Sequence, residues 1–138
     1  MGNIFVEELR NKFSSDSFPN ALGIKLIEVS EGRAVVEMEV KDEHLNLVGT
    51  THGGAIFTLA DTALGLASNS RGRISVALNV QINYIKATKT GTTLTAVAAE
   101  EHLTRKTGVY SVRVTDEKGN LIAIATGTCY VLADKSQP

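Results

Sequence analysis

The stretch His52-Gly53-Gly54-Ala55-Ile56-Phe57-Thr58-Leu59-Ala60-Asp61-Thr62-Ala63-Leu64-Gly65-Leu66-Ala67-Ser68-Asn69-Ser70 decides how the rest of the chain must fold. Ile56, Leu59, Ala60, Ala63, Leu64 and Ala67 recur at the three-four spacing of a helix, and no proline interrupts them. Asp61 is the segment's only charged residue. Ala55, Ala60, Ala63, Gly65 and Ala67 are small enough to let other backbone approach closely. A helix this apolar must bury most of its surface, so the remaining elements have to wrap around it.

Outward from that helix, residues 41–52 are polar and broken by Gly49, a loop. Before it, residues 22–29 and 33–40 read as two strands of a hairpin joined near Ser30-Glu31-Gly32. In the second, Ala34, Val36, Met38 and Val40 alternate with Val35, Glu37, Glu39 and Lys41, the period of a half-buried strand. The spacing of Phe5, Leu9 and Phe13 predicts a short surface helix, ended before a break at Pro19-Asn20. After the apolar helix come four more strands, within 76–84, 92–101, 109–115 and 121–132, read as antiparallel neighbours from their short connections. Asp116-Glu117-Lys118-Gly119-Asn120 is a hairpin turn with Gly119 at a left-handed position. One apolar helix among antiparallel strands makes an α+β structure, a curved sheet wrapped around a central helix.

The 138 residues are expected to form one domain over 1–138, with a frayed tail at 134–138. No apolar run approaches the length needed to span a bilayer, so no membrane partner is expected. A net charge of −1 with interspersed signs argues against nucleic acid. Arg71, Arg73, Lys86, Lys89, Arg105 and Lys106 could still serve one small phosphorylated ligand. The start, Met1 to Val6, carries no export or lipidation pattern, and Cys129 is alone, so a cytoplasmic setting is expected.

Chemistry concentrates at the opening of the central helix. First-turn N–H groups lack partners within a helix, and the helix dipole draws negative charge to that end. With no side chain at Gly53, a substrate carbonyl can reach its N–H, which makes it a candidate oxyanion donor. Gly54 beside it is a candidate substrate contact. The phosphate-loop alternative fails because Ala55 stands where a lysine is required. Asp61 is a carboxylate in the middle of an apolar helix, where burial raises its pKa toward a range useful to a base. Eight residues separate it from Gly53, about 12 Å along a helix. One carbonyl cannot touch both, so a shared site requires two subunits about a two-fold axis.

His52-Gly53-Gly54, Phe57 and Leu59-Ala60-Asp61 resemble the hotdog thioesterases of the phenylacetic acid degradation group. Arg105-Lys106-Thr107-Gly108-Val109-Tyr110, Val112-Arg113-Val114 and Gly119-Asn120-Leu121-Ile122-Ala123 extend the likeness over about 22–132. The resemblance implies a hotdog fold and hydrolysis of acyl-CoA, with coenzyme A part of the substrate and no separate cofactor. It implies that the Gly53 N–H and the Asn46 amide polarise the thioester carbonyl, while the partner's Asp61 activates water or attacks directly. His52 shapes the turn. A hydroxyl residue common on the following strand is replaced by Ala77, leaving Ser75 or Asn79 to take its role. Lys86, Lys89, Arg105 and Lys106 are the candidates for the coenzyme A phosphates. A homo-oligomer is implied, a dimer or a dimer of dimers.

His44, His52 and His102 are scattered without supporting ligands, so no metal is expected. Cys129 lies in a strand and no nucleophile elbow is present. Two rival readings stand: a hotdog dehydratase or hydratase using His52, and a non-catalytic acyl-CoA binding module.

Overall fold

The structure, a computed structural model, describes residues 3–137; Met1, Gly2 and the last tail residue, Pro138, lie outside the described residues. Helix α1 (Ile4–Phe13) starts where Asn3 Oδ1 accepts from the Phe5 N–H at 2.8 Å. A second helix, α2 (Ser17–Ala21), occupies the segment read as a break. Pro19 sits in its first turn, where a missing N–H removes no helical bond, so the proline does not stop it.

Strands β1 (Lys25–Ser30) and β2 (Arg33–Glu39) form the expected hairpin. A 3₁₀ turn (Asp42–His44) leads to the loop and then to helix α3 (Gly53–Ser68). Strands β3 (Arg73–Tyr84), β4 (Thr93–Leu103), β5 (Thr107–Thr115) and β6 (Leu121–Asp134) follow. Gly119 has a φ of 83°, the left-handed conformation its turn requires.

All six strands form one antiparallel sheet in the order β1-β2-β4-β5-β6-β3. The run of four C-terminal neighbours is therefore corrected: β3 pairs with β6, and β4 pairs with β2. The connection through α3 is long enough to carry the chain across the sheet, and β3 becomes an edge strand. The sheet curves around α3, which packs on β2, β3, β4 and β5, the hotdog arrangement.

Leu59 and Leu64 of α3 are essentially inaccessible, and each contributes about 1.5–3 kcal/mol by leaving water. The sheet meets the helix with small side chains, Ala34, Ala96, Ala98 and Ala125, so the backbones approach closely. Closest is Gly127 on β6, where an added Cβ would overlap Leu64 Cδ1. Gly127→Ala is expected to destabilise the protein by about 1–3 kcal/mol, measured by urea denaturation, because the helix must shift outward.

A second correction concerns β3. Strict alternation along 76–84 would keep Val76, Leu78, Val80, Ile82 and Tyr84 on one face, but a bulge at Leu78 intervenes, with Ala77 opposite Cys129 and Asn79 opposite Thr128. A bulge adds one residue and so changes which face the following side chains occupy. Ser75 and Ala77 share the inner face with Val131 and Cys129, and beyond the bulge Val80 and Ile82 take over that face. Val76 and Leu78 are left exposed.

At the other end, Asp134 closes β6, and the Lys135 N–H donates to the Gly72 carbonyl at 2.7 Å. Lys135 also pairs with Glu8 of α1. No helix among the described residues is long and apolar enough to cross a membrane.

Candidate active site

The mouth of α3 is built by a tied loop. Leu45 and Thr51 form an isolated antiparallel bridge, and the His52 N–H donates to the His44 carbonyl at 2.7 Å. Within the loop Asn46 is held on both sides of its amide. Its Oδ1 accepts from the N–H groups of Val48 (3.0 Å) and Thr50 (3.1 Å), and its Nδ2 donates to Thr50 Oγ1 at 2.9 Å. One N–H of that amide remains to donate elsewhere.

His52 is the N-cap of α3: its Nδ1 accepts from the Gly54 N–H at 2.8 Å. The N–H groups of Ala55 and Ile56 donate to the His52 carbonyl. Among the described residues, the Gly53 N–H alone in this first turn has no acceptor. An exposed cap is worth about 1 kcal/mol, so His52→Ala is expected to lose about that much stability in urea denaturation. Turnover should stay within severalfold if the ring, whose Nδ1 accepts from the Gly54 N–H, only caps the helix. A loss of several orders would instead favour a proton-transferring histidine.

Tyr84, at the end of β3, escaped the sequence reading. Its hydroxyl donates to the Gly53 carbonyl at 2.9 Å, and a Cβ at Gly53 would stand 3.1 Å from its ring. The first peptide of α3 is thus held from the carbonyl side, and a side chain at Gly53 would have to displace the ring by a few tenths of an ångström. Only strand length and register bring Tyr84 to this point, and no local pattern announces it.

Asp61 lies two turns further along α3, on a cavity of about 530 Å³ that Phe13 and Phe18 of the N-terminal segment share with Phe57. Its carboxylate makes no ion pair and no hydrogen bond among the described residues. Burial pushes its pKa above the ordinary carboxylate value. The neighbouring hydroxyls of Thr58 and Thr62 donate back to the Gly54 and Thr58 carbonyls. Burial likewise raises the Cys129 thiol, so it rests as an unreactive core group.

Ser75 is buried, with its hydroxyl donating to the Ser68 carbonyl at 3.1 Å and its N–H to Asn69 Oδ1. Asn79 lies beyond the bulge, opposite Thr128 and on the face away from Cys129. One chain thus groups Asn46, His52, Gly53 and Gly54 at the helix mouth and leaves Asp61 apart.

The six basic residues separate as well. Lys86 and Lys89 follow the C-terminal end of β3, beside Thr50. Arg105 and Lys106 lie in the β4–β5 turn, which Arg73 at the opposite end of β3 contacts. At about 3.3 Å per residue, β3 keeps the two groups far apart within one chain. Arg71 is taken up by Glu31 and Glu100. Among the described residues no group of three His, Cys, Asp or Glu gathers as metal ligands.

A helix-opening N–H and a half-buried carboxylate thus lie on the central helix of a hotdog fold. Residues 48–123 match the thioesterase superfamily, and the chain belongs to that family. It is 38% identical to the acyl-coenzyme A thioesterase PaaI of Escherichia coli, over 83% of this chain and 82% of that protein. The structure of the E. coli PaaI protein superposes with a TM-score of 0.90, covering 93% of each chain at 34% identity. A mutant of the phenylacetic acid degradation protein PaaI from Thermus thermophilus is 44% identical, with a TM-score of 0.82 over 85% of this chain and all of that one. A hypothetical thioesterase protein of Streptococcus pneumoniae, solved with coenzyme A, is 35% identical, with a TM-score of 0.78 over 80% of this chain and 90% of that one.

Proposed function

We propose that this protein hydrolyses acyl-CoA thioesters as a homo-oligomer whose sites each combine two subunits. The observation that carries the reading is the pair on α3: one N–H without an acceptor, and one carboxylate without a partner, about 12 Å apart. Neither is explained by folding, since a half-buried carboxylate without a partner costs stability. A two-fold axis that sets two α3 helices side by side and antiparallel places each Asp61 near the partner's Gly53.

The edge of β3 supports such an axis. Its outer ladder is unpaired in the single chain, and Val76 (48% exposed), Leu78 (63%) and Tyr84 (51%) are uncovered along its length. A long bare apolar edge is a template for another strand. Antiparallel pairing of β3 with its copy would also bring the partner's Lys86 and Lys89 toward this chain's Arg105 and Lys106, one basic surface for the coenzyme A phosphates.

In the reaction, the thioester carbonyl accepts from the Gly53 N–H and the free Asn46 N–H. The partner's Asp61 takes a proton from water as the water oxygen bonds to the carbonyl carbon. The tetrahedral oxyanion collapses, the C–S bond breaks, and the departing thiolate receives the proton held by Asp61. Direct attack by Asp61 would instead pass through an anhydride; label found in the Asp61 side chain after one turnover in ¹⁸O-water, left when water attacks the aspartyl carbon of that anhydride, would mark this route. The aromatic lining around Asp61 suits aryl and medium acyl groups, and the lone thiol suits the cytoplasm. A thiol-release assay over short, medium and aryl acyl-CoAs tests the reading. Binding of these substrates without any thiol release would make the protein a binding module.

A further inference from the structure

We infer that Arg73 is a positioning residue: it locks the β4–β5 turn so that Arg105 and Lys106 face the coenzyme A phosphates without having to be ordered on binding. The inference rests on the acyl-CoA reading above and on those two cations as phosphate contacts.

Every carbonyl of the turn is occupied within the chain. Arg73 Nη2 donates to the carbonyls of Thr104 (2.6 Å) and Arg105 (2.8 Å). The Lys106 carbonyl accepts from the Val131 N–H, and the Thr107 carbonyl from the Thr104 N–H, each at 2.8 Å. The Thr104 hydroxyl accepts from the Thr107 N–H at 2.9 Å. The backbone is therefore fixed, while the side chains of Arg105 and Lys106 make no ion pair or hydrogen bond among the described residues. They border a groove of about 1070 Å³, in which Arg71 is already neutralised by Glu31 and Glu100.

Arg73 itself is not satisfied by this arrangement. The residue is 9% exposed, and its buried Nε has no hydrogen-bond partner, with only Asp134 Oδ2 at 3.9 Å. An orphaned donor on a buried guanidinium is a poor packing solution. Arg73 binds two successive carbonyls through Nη2 while its planar head and stem fill the strand edge; a lysine ammonium has donors enough for both carbonyls but neither that planar shape nor that reach, and an apolar chain has no donor. Fixing a loop before binding removes the ordering cost from the affinity.

The test compares one acyl group carried by coenzyme A and by pantetheine, which lacks the nucleotide and its phosphates. Arg73→Lys and Arg73→Met are expected to raise KM for the acyl-CoA about five- to tenfold, with kcat within twofold and the pantetheine KM unchanged. Arg105→Ala with Lys106→Ala should show the same selectivity. If that double variant leaves the acyl-CoA KM unchanged, the phosphate assignment fails whatever Arg73 does. If it raises KM selectively and the Arg73 variants do not, the inference on Arg73 is overturned. Equal changes toward both substrates would overturn it too, as the mark of a purely structural residue. Should Arg73→Met fail to fold, the charge-keeping Arg73→Lys supplies the same readout.

Discussion

Asp61→Asn is expected to lower kcat for acyl-CoA by about 10³-fold while KM moves by less than a few-fold. The amide preserves volume and keeps the cavity shape, but it can neither take a proton from water nor attack the carbonyl. A variant retaining a tenth of wild-type turnover would remove Asp61 from the chemistry. The same substitution should make the protein more stable at neutral pH. Desolvation raises the Asp61 pKa in the folded state. Between the unfolded and the folded value the native protein holds a proton that the unfolded chain has released, so stability falls as pH rises through that window. Above it the whole desolvation cost of the half-buried charge is present, and asparagine removes it. Melting temperatures should therefore show a gain for Asp61→Asn that is larger at neutral than at acidic pH. For wild type, the acid limb of kcat/KM should lie above the ordinary carboxylate range.

The second large effect is recovery of activity in mixed oligomers. Asp61→Ala removes the carboxylate, and Gly53→Ala sets a methyl 3.1 Å from the Tyr84 ring, beside the N–H that the thioester carbonyl has to reach. Losing an oxyanion donor costs about 10²- to 10³-fold in kcat. If each site takes Asp61 from one subunit and Gly53 from the other, a mixed dimer keeps one site with both groups intact. Random mixing at equal amounts makes about half the dimers mixed, so about a quarter of wild-type activity should return. Activity that stays at the level of the separate variants would mean that the two groups do not serve one substrate across an interface. The experiment reads sharing of the site directly, whatever acyl group is used.

Much of the fold was legible along the chain because its signals are local. The three-four spacing of Ile56, Leu59, Ala63 and Leu64 and the alternation of Ala34, Val36 and Met38 each report a periodicity contained within one element. The missed helix α2 shows the limit of such signals: a proline was read as punctuation when its position in a first turn made it harmless.

Strand order and side-chain orientation were not legible. Pairing of β3 with β6 depends on where a long connection lands, and the bulge at Leu78 reversed the faces of β3 with one extra residue.

The site divides the same way. The fold class, the helix-opening glycines and the lone carboxylate on an apolar helix can be read along the chain, because composition and spacing within one element carry those features. It takes the folded chain to show that the Gly53 N–H lacks an acceptor among the described residues, that Tyr84 bonds its peptide, that the Ser75 hydroxyl donates to the Ser68 carbonyl, and that Lys86 and Lys89 lie far from Arg105 and Lys106. Those facts are distances between residues remote in sequence. They are set by register, by a bulge and by close approach of backbones, none of which leaves a local trace in the chain.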